Sequence, residues 1–483
     1  MELSKAEVRA VLRQFNPWWT GSAIPDLPHW RRPVFKKVFR WLEAPPSARA
    51  LLLTGARRVG KTTLLLQLIQ KLLSQGTPPS NILYLTLDHP ILKLEGLDRL
   101  TRLWRESEPA ADGPEFVLLD EVHAVRDWQV WIKHQVDFVK NRRIAATGSA
   151  TPLLEEGQES GAGRWHEIEV APLSFYEFLL ITKRSRPKFN KVRSLVRLLS
   201  WSPADFARAT TQVRELEPEF SEYLLRGGFP ETAMIPTITL AQKLLREDIV
   251  DRILKRDMTA LFQVRRVVEL EQLFVYLCLH DSGIIDLTQI VKSLQLPKQT
   301  VSRFLSLLEA AHLIHTLRPH GYGKEILRGG SKIYLADAAI GPSVLLRGRD
   351  LLSSNAELGR AVETAVFMHM RNHYHSDGIQ FSYWRGKKGA EVDFVAQAGA
   401  EMIAVEVKHR GSHTDLREMP GLVELCRTRT VHRAYVITRD ADDVGRTDLP
   451  GPPPVPVLKI PAPLACYLLG ASEAEGADGE EVE

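Results

Sequence analysis

The stretch that decides the fold reads Gly55-Ala56-Arg57-Arg58-Val59-Gly60-Lys61-Thr62-Thr63. The apolar run Ala50 to Leu53 precedes it, and leucines at helical spacing follow it. A glycine-rich loop therefore lies between a strand and a helix, which is the context that a phosphate-binding P-loop requires. We predict an α/β fold that binds a nucleoside triphosphate through this loop.

The residue types in the loop suit that chemistry. Glycines let backbone N–H groups turn toward the β-phosphate, and the helix N-terminus adds its positive end. Lys61 supplies a point charge to the β- and γ-phosphate oxygens, and Thr62 is expected to hold Mg²⁺. ATP and Mg²⁺ are the predicted cofactors. The predicted nucleotide-binding residues are Gly55, Arg58, Val59, Gly60, Lys61, Thr62 and Thr63.

Two later strands end in polar side chains. The run Phe116 to Leu119 ends in Asp120-Glu121, where Asp120 is expected to join the Mg²⁺ shell and Glu121 to orient the attacking water. The run Arg143 to Ala146 leads into Thr147-Gly148-Ser149. Ligands bind where parallel strands end, so Thr147 or Ser149 is a candidate γ-phosphate sensor, with a plain Gly-Ser turn as an equal alternative.

Several short motifs follow one another along the chain: the P-loop, Leu119 to His123, Thr147 to Ser149, Gly163-Arg164, Ala171 to Phe178, Tyr223 to Glu231 and Leu254 to Asp257. Their order resembles a prokaryotic AAA+ ATPase family with a C-terminal domain of unknown function, from about Leu51 to about His409. The resemblance implies a homo-oligomer, with a hexameric ring as the expected form, in which an arginine from a neighbouring subunit or a lid completes the γ-phosphate site. Arg164 matches that position, and a solvated loop arginine is the alternative.

Length and composition limit the class of protein. A chain of 483 residues that is 44% hydrophobic is expected to form several domains. Its three cysteines are far apart, which argues against a zinc site or a disulfide framework and suits a reducing compartment. The net charge of +4 permits DNA binding without requiring it. No apolar run has membrane-spanning length, so we predict a cytoplasmic protein with no membrane partner.

These patterns predict six segments along the chain. An N-terminal segment contains Asn16-Pro17-Trp18-Trp19, which is expected to pack on the ATPase core, with contact to the nucleotide base as an alternative. The segments are residues 1–48 (N-terminal segment), 49–172 (ATPase core), 173–264 (helical lid or connector), 265–330 (winged helix), 331–469 (restriction-endonuclease-like α/β domain) and 470–483 (acidic disordered tail).

Residues 287–311 have the pattern of a helix-turn-helix. Two helices are predicted, Leu287 to Leu294 and Lys298 to Ala311, with a strand from Leu313 to Arg318 as the wing. The apolar stripe of the second helix is expected to contain Val301, Phe304, Leu305 and Leu308. Its outward residues are candidates for DNA contact, and a packing module is the alternative. These candidates are Lys298, Gln299, Thr300, Ser302 and Arg303, with Ser306 beside them.

The C-terminal segment carries acidic residues on adjacent strands. Glu391 to Val395 and Ile403 to Lys408 alternate as strands, and Glu363 lies on a preceding helix. The set Glu363, Asp393, Glu406 and Lys408 resembles a PD-(D/E)XK nuclease core, which implies Mg²⁺ on the carboxylates, Asp393 and Glu406 above all. Solvated or mutually paired charges are the alternative. The run Tyr383 to Lys388 adds a basic, aromatic edge for a nucleic-acid backbone, with Arg385, Lys387 and Lys388 as its cations.

Two functions follow from these patterns. The first is an ATP-hydrolysing motor that translocates along or remodels DNA, for example by branch migration in recombination, repair or defence, with a C-terminal domain that binds DNA and is a candidate for cleaving it. The second is a nucleotide-switched regulator or scaffold that binds protein or DNA without motor activity. Glu121 favours the first, because a pure binding switch needs no polarised water.

Overall fold

The computed structural model describes most of the chain, and it divides into two compact units, Met1–Ala171 and Pro172–Glu483. The described residues are 4–22, 24, 27–148, 163–187, 189, 195–262, 264–321, 330–374, 378–386, 389–409, 415–451 and 453–479. Ser149, Lys387 and Lys388 lie outside them.

The first unit is built on a parallel sheet in the order β2-β3-β4-β1-β5. The strands are β1 (Ala50–Thr54), β2 (Ile82–Thr86), β3 (Glu115–Asp120), β4 (Arg142–Thr147) and β5 (Trp165–Glu169). The helices are α1 (Lys5–Phe15), α2 (Val34–Glu43), α3 (Lys61–Ser74), α4 (Pro90–Ser107) and α5 (Trp128–Phe138), with short 3₁₀ turns at Pro17–Thr20, Pro79–Asn81 and Val122–Ala124.

Burial explains why these strands read as continuous apolar runs. Every residue of β1 is buried, as a parallel strand covered on both faces requires. Because all strands are parallel, Thr54, Asp120 and Thr147 end at the same edge of the sheet. The α/β fold predicted from the P-loop is confirmed. Strand β5 was not predicted from the sequence, because its burial pattern is mixed and its residues lack a continuous apolar run.

The aromatic N-terminal segment packs on the edge strand β2. Asn16 is fully buried; its Nδ2 donates to the Tyr84 carbonyl at 2.9 Å, and its Oδ1 accepts from the Tyr84 amide at 2.7 Å. The indole nitrogens of Trp18 and Trp19 both donate to the carbonyl of Ile82. These contacts pair polar groups that an edge strand leaves exposed. The segment therefore packs on the sheet, as the first of the two interpretations expects.

The second unit begins with helices and continues with two sheets. Its helices are α6 (Phe175–Ile181), α7 (Pro203–Arg226), α8 (Pro230–Met234), α9 (Ile238–Leu244), α10 (Met258–Phe262), α11 (Val267–Leu279), α12 (Leu287–Leu294), α13 (Lys298–Ala310), α14 (Ile340–Val344), α15 (Asn355–Tyr374), α16 (Pro420–Thr428) and α17 (Ala462–Gly479). Two π-helical turns, Leu245–Asp251 and Ile253–Asp257, precede α10, and short 3₁₀ turns lie at Leu195–Ser200, Gly348–Ser353, Leu416–Glu418 and Ala441–Asp443.

The strands of this unit form a small sheet and a larger one. The small antiparallel sheet has the order β6-β8-β7, and its first strand lies between α11 and α12 along the chain. Its strands are β6 (Ile284–Ile285), β7 (Ile314–Leu317) and β8 (Ser331–Leu335). The larger mixed sheet has the order β13-β14-β12-β11-β10-β9. Its strands are β9 (Gln380–Arg385), β10 (Glu391–Ala398), β11 (Glu401–Lys408), β12 (Arg433–Thr438), β13 (Gly445–Leu449) and β14 (Val455–Pro461).

Two details differ from the sequence predictions. The segment predicted as a disordered tail from residue 470 is helical to Gly479, because α17 begins with buried apolar residues and continues with alanine and glutamate, which favour a helix. In α13, Leu307 is buried while Leu305 is only half-buried. The finer segment boundaries stay predictions.

Candidate nucleotide site and C-terminal carboxylate cluster

The loop after β1 has the backbone geometry of a phosphate cradle. Gly55 and Gly60 have φ of 137° and 98°, and Arg58 also has a positive φ of 61°. A Cβ on Gly55 would lie 2.2 Å from the carbonyl oxygen of Val170, so that position admits only glycine. Gly60 directly precedes α3, which places the helix N-terminus beside the loop.

Lys61 folds back onto the loop that carries it. Its Nζ donates to the carbonyl oxygens of Gly55 and Ala56 at 2.7 and 2.8 Å, and the side chain is buried. Arg32 holds the same loop from outside, because its guanidinium donates to the carbonyls of Val59 and Ala171. No pattern in the sequence identifies this contact of Arg32 with the loop.

Asp120 is the centre of a hydrogen-bonded group at the carboxyl edge of the sheet. It accepts from the hydroxyls of Thr62 at 2.8 Å, Thr147 at 2.6 Å and Tyr84 at 3.1 Å. Burial raises the pKa of Asp120, and these donors act in the opposite direction. Strand β4 lies between β1 and β3, so Thr147 reaches Asp120 directly. Tyr84 was not predicted; it comes from β2, far away in the sequence.

The Asp120 group suits Mg²⁺. The Thr62 hydroxyl and the Asp120 carboxylate are hard oxygen ligands on adjacent groups, and Thr62 is exposed to solvent. These two residues would hold the cation, which supplies charge neutralisation for the phosphate oxygens. The fit rests on the chemistry of these two oxygen ligands and on their position beside the P-loop.

Glu121 follows Asp120 in a left-handed conformation with φ of 54°. Its amide donates to the Thr147 hydroxyl at 2.9 Å, so one threonine holds both carboxylate residues. The Nδ1 of His123 lies 3.4 Å from Glu121 Oε2. Burial, followed by the charges of Lys61 and Arg57, lowers the pKa of His123 to about 4, so the ring is neutral at neutral pH. The structure brings together Lys61, Thr62, Asp120, Glu121 and Thr147.

Arg164 does not join the nucleotide site of its own chain. It precedes β5, and its carbonyl accepts from the amide of Ala50 at the start of β1, whereas the P-loop follows the end of β1. Its Nε forms an ion pair with Asp137 at 2.7 Å. The length of β1 separates Arg164 from the loop, so this residue does not contact a nucleotide bound to its own chain. Its role at a γ-phosphate site stays a prediction, with a solvated loop arginine as the alternative.

Two of the motifs that carry the family resemblance contain residues with structural partners. In Ala171 to Phe178, Ser174 and Glu177 form a capping box for α6, and the Phe175 amide donates to His369 Nε2 at 2.8 Å. In Tyr223 to Glu231, the Gly228 amide donates to Asp337 at 2.7 Å. These contacts explain the motifs by packing and helix capping.

The C-terminal carboxylate cluster consists of Glu363, Glu391, Asp393 and Glu406. Burial, followed by the charge of Asp393, raises the pKa of Glu363 to about 7 and that of Glu406 to about 8. Lys408 Nζ lies 2.5 Å from Glu406 Oε1. The structure therefore brings together Glu363, Asp393, Glu406 and Lys408, as the sequence predicts. Glu391 was missed, although it lies two positions before Asp393 on the same strand.

A second lysine enters this cluster from the small sheet. Lys332 on β8 is 1% exposed, and its Nζ lies 2.8 Å from Glu363, 3.0 Å from Glu391 and 3.0 Å from Asp393. Burial acts to lower the pKa of Lys332, but the surrounding negative charges raise it well above its usual value. No sequence signal pointed to this lysine, since its partners lie some distance along the chain.

The nuclease resemblance implies Mg²⁺ on these carboxylates, but the contacts of the cluster do not fit a bound Mg²⁺ ion. Asp393 already uses Oδ1 with Lys332 and Oδ2 with the Val407 amide, at 3.0 and 2.7 Å. In the part of the chain that the structure describes, no group of three or more acidic, histidine or cysteine side chains is arranged to hold a metal ion. A lysine ammonium and a divalent cation compete for the same carboxylate oxygens.

The predicted DNA-contact residues are placed as follows. Lys298, Gln299, Ser302, Arg303 and Ser306 are exposed on α13, while Thr300 is half-buried. Arg385 is exposed at the end of β9. The neighbouring Tyr383 and Trp384 are buried in the core, so they are not available to stack on bases.

Three family models match successive segments of the chain. Residues 47–179 match an AAA domain, residues 217–350 a domain of unknown function (DUF8612) and residues 358–460 another domain of unknown function (DUF4143). The first match includes the P-loop, Asp120, Glu121 and Thr147. The family match and the parallel sheet together indicate an AAA domain of the AAA+ ATPase type over residues 47–179.

Curated relatives share most of the chain. An uncharacterized protein of Haemophilus influenzae is 26% identical over 74% of this chain and 81% of its own length. An uncharacterized protein of Mycobacterium tuberculosis is 25% identical over 82% of this chain and 78% of its own. The Aeropyrum pernix ORC1 protein, solved in complex with DNA, is 12% identical, covers 68% of this chain and 97% of its own, and has a TM-score of 0.30.

Within the described ranges, no helix combines the length and the hydrophobicity needed to cross a lipid bilayer. The compartment stays a prediction from the sequence.

Proposed function

We propose that this chain is an ATP-hydrolysing AAA+ motor that acts on DNA as a homo-oligomer. The observation that carries the proposal is the arrangement at the carboxyl edge of β1, β3 and β4. There Thr147 holds both Asp120 and Glu121, and Thr62 bonds to Asp120. This arrangement supplies what phosphoryl transfer to water requires: a phosphate cradle, a cation site and a carboxylate for the attacking water.

Each residue has a distinct role in hydrolysis. Lys61 leaves the carbonyls of Gly55 and Ala56 and binds the β- and γ-phosphates. Glu121 orients the water and accepts its proton, and Thr147 fixes the carboxylate's backbone. Ser149, which lies outside the described residues, is the second candidate sensor. The amide of Glu121 is anchored before nucleotide arrives, so little reorganisation is needed during the reaction.

The position of Arg164 supports an assembly of several chains. Because it lies at the opposite edge of the sheet from its own P-loop, it can complete a γ-phosphate site only in a neighbour. Its ion pair with Asp137 must then open when chains assemble with ATP. A closed ring, hexameric as the family resemblance implies, satisfies this geometry for every chain.

The helices α11 to α13 with the small sheet form the proposed winged-helix module. The order α11, β6, α12, α13, β7, β8 supports that assignment, with α13 as the recognition helix. Lys298 and Arg303 are exposed there, and Gln299 and Ser302 lie beside them. Basic and hydroxyl side chains at the exposed face of such a helix suit phosphate and base contacts.

The larger sheet with α15 forms the proposed restriction-endonuclease-like module. The antiparallel pair β10 and β11, followed by the parallel β12, supports that assignment, as does the position of Glu363 on α15. We assign this module to DNA binding. Its capacity to cleave is decided by comparing Mg²⁺-dependent cleavage of linear, single-stranded and branched DNA by the unmodified protein and by Glu406→Ala.

The DNA role is tested by the ATPase rate in the presence of DNA. We expect duplex, single-stranded or branched DNA to stimulate phosphate release at low salt. Lys298→Ala and Arg303→Ala should each weaken binding and lower the salt dependence by about one counterion. Lys292→Ala, which removes an exposed lysine from α12, is the matched control. Absence of both DNA binding and stimulation would leave the nucleotide-switched regulator as the better account.

A further inference from the structure

The Lys332 ammonium occupies the centre of the C-terminal carboxylate cluster. Three carboxylate oxygens, from Glu363, Glu391 and Asp393, lie within 3.0 Å of its Nζ. These three residues come from a helix and a strand of one module, and the lysine comes from the small sheet. A buried lysine needs one carboxylate to neutralise its charge, so three carboxylates exceed the need of an ion pair.

Other polar groups also bond to the carboxylates of the cluster, with one exception. The Tyr334 hydroxyl donates to Glu363 Oε1 at 2.8 Å, and the Val407 amide donates to Asp393 Oδ2. Lys408 pairs with Glu406 Oε1. Among the described residues of the cluster, Glu406 Oε2 is the one carboxylate oxygen that is buried without a hydrogen-bond donor. A divalent cation would have to displace Lys332 from Asp393 before it could bind there.

We propose that Lys332 takes the place of a divalent cation in this cluster. The lysine joins β8 of the small sheet to the carboxylates of α15 and β10, and the intact cluster binds no Mg²⁺ at Asp393. Three carboxylate oxygens converge on one point, and the Lys332 ammonium occupies that point at hydrogen-bonding distance. The inference goes beyond ATP hydrolysis and DNA binding, and it predicts that the unmodified protein does not cleave DNA with Mg²⁺.

The test uses thermal unfolding of the full chain without nucleotide, in EDTA or with Mn²⁺ as the probe. Removing the ammonium leaves buried carboxylates unpaired, so Lys332→Met should lower the unfolding temperature in EDTA by roughly 10 °C. Mn²⁺ should restore most of that loss, since a cation can then enter the cluster. In the double variant Lys332→Met with Asp393→Asn, Mn²⁺ should restore nothing. Lys292→Met, at an exposed position, is the control for loss of one charge.

Two results would overturn the proposal. One is a loss of stability in Lys332→Met that Mn²⁺ does not repair, which would make the lysine a structural ion-pair partner only. The other is Mn²⁺ binding by the unmodified protein that weakens on Asp393→Asn, measured by electron paramagnetic resonance titration. The second comparison needs no lysine variant, so it decides the question even if Lys332→Met fails to fold. Neither readout depends on ATP hydrolysis or on DNA. Failure of the Lys332 proposal is therefore distinguishable from failure of the proposed motor function.

Discussion

The hydroxyl of Thr147 donates to Asp120 Oδ1 at 2.6 Å and, through the same oxygen, accepts from the amide of Glu121 at 2.9 Å. One side chain at the end of β4 therefore positions both carboxylate residues at the end of β3. The threonine is fully buried, so water does not compete for either hydrogen bond.

Thr147→Val should reduce ATP hydrolysis more than ATP binding. The substitution keeps the shape of the side chain, removes both hydrogen bonds and leaves the Glu121 amide without its acceptor. We expect a loss of about 1–3 kcal/mol in the free energy of unfolding and a roughly tenfold to hundredfold lower rate of phosphate release. Thr101→Val makes the same change in a buried threonine of α4, whose hydroxyl donates to Leu97 and Asp98 carbonyls. An equal fall in rate for both variants would argue against a specific role for Thr147.

Gly55→Ala should strongly weaken nucleotide binding. Its Cβ would lie 2.2 Å from the Val170 carbonyl oxygen, so the loop must move away from β5. Gly76 also has a positive φ, 88°, but a Cβ there meets nothing within 4 Å. Gly76→Ala therefore carries only the backbone strain of about 1–2 kcal/mol. Titration with a fluorescent ATP analogue should show normal affinity for Gly76→Ala and an at least roughly tenfold loss for Gly55→Ala; equal affinities would contradict the assigned loop geometry.

The stability of the second unit should fall in mild acid through His369. Its Nε2 accepts from the Phe175 amide and its Nδ1 bonds the Ala365 carbonyl, so the ring is neutral when folded. Burial lowers the pKa of His369 to about 4 from an ordinary value near 6.5. The unfolded chain therefore binds a proton first. The stabilisation is complete above pH 6.5 and is lost as the pH falls toward 4.

Urea unfolding at neutral pH and at about pH 5 checks this dependence. Between these two pH values, protonation of His369 in the unfolded chain should lower the free energy of unfolding of the unmodified protein by about 2 kcal/mol. His369→Gln cannot gain a proton, so its unfolding free energy should fall less, by about that difference, although the variant starts from a lower value at neutral pH. Identical pH slopes for the two proteins would show that His369 does not titrate on unfolding.

The nucleotide site was largely predictable because its residues lie in short local runs. Gly55 to Thr63 and Asp120-Glu121 each follow an apolar strand, and parallel pairing brings the strand ends together whatever the intervening sequence. Arg32 and Tyr84 could not be predicted in this way. Their contacts depend on how the N-terminal segment and β2 pack, and neither residue type is specific for such a role.

The C-terminal cluster was predictable only in part, for the same physical reason. Side chains two positions apart on a strand point to the same face, so this period predicts Glu406 and Lys408 on one face of β11. The same period puts Glu391 on the face of β10 that carries Asp393. Lys332 comes from another sheet, and a lysine within an apolar strand has no pattern that names its partners. Its presence changes the expected chemistry from a cation site to a buried ammonium cluster.

The central claim is that Glu121 serves ATP hydrolysis in the AAA+ domain, and phosphate release by Glu121→Gln at saturating ATP tests it most directly. Asp112→Asn makes the same carboxylate-to-amide change at an exposed position of the first unit and is the control. The account predicts a roughly hundredfold or greater loss of rate in Glu121→Gln with ATP affinity unchanged. A rate equal to that of the unmodified protein and of Asp112→Asn would contradict it.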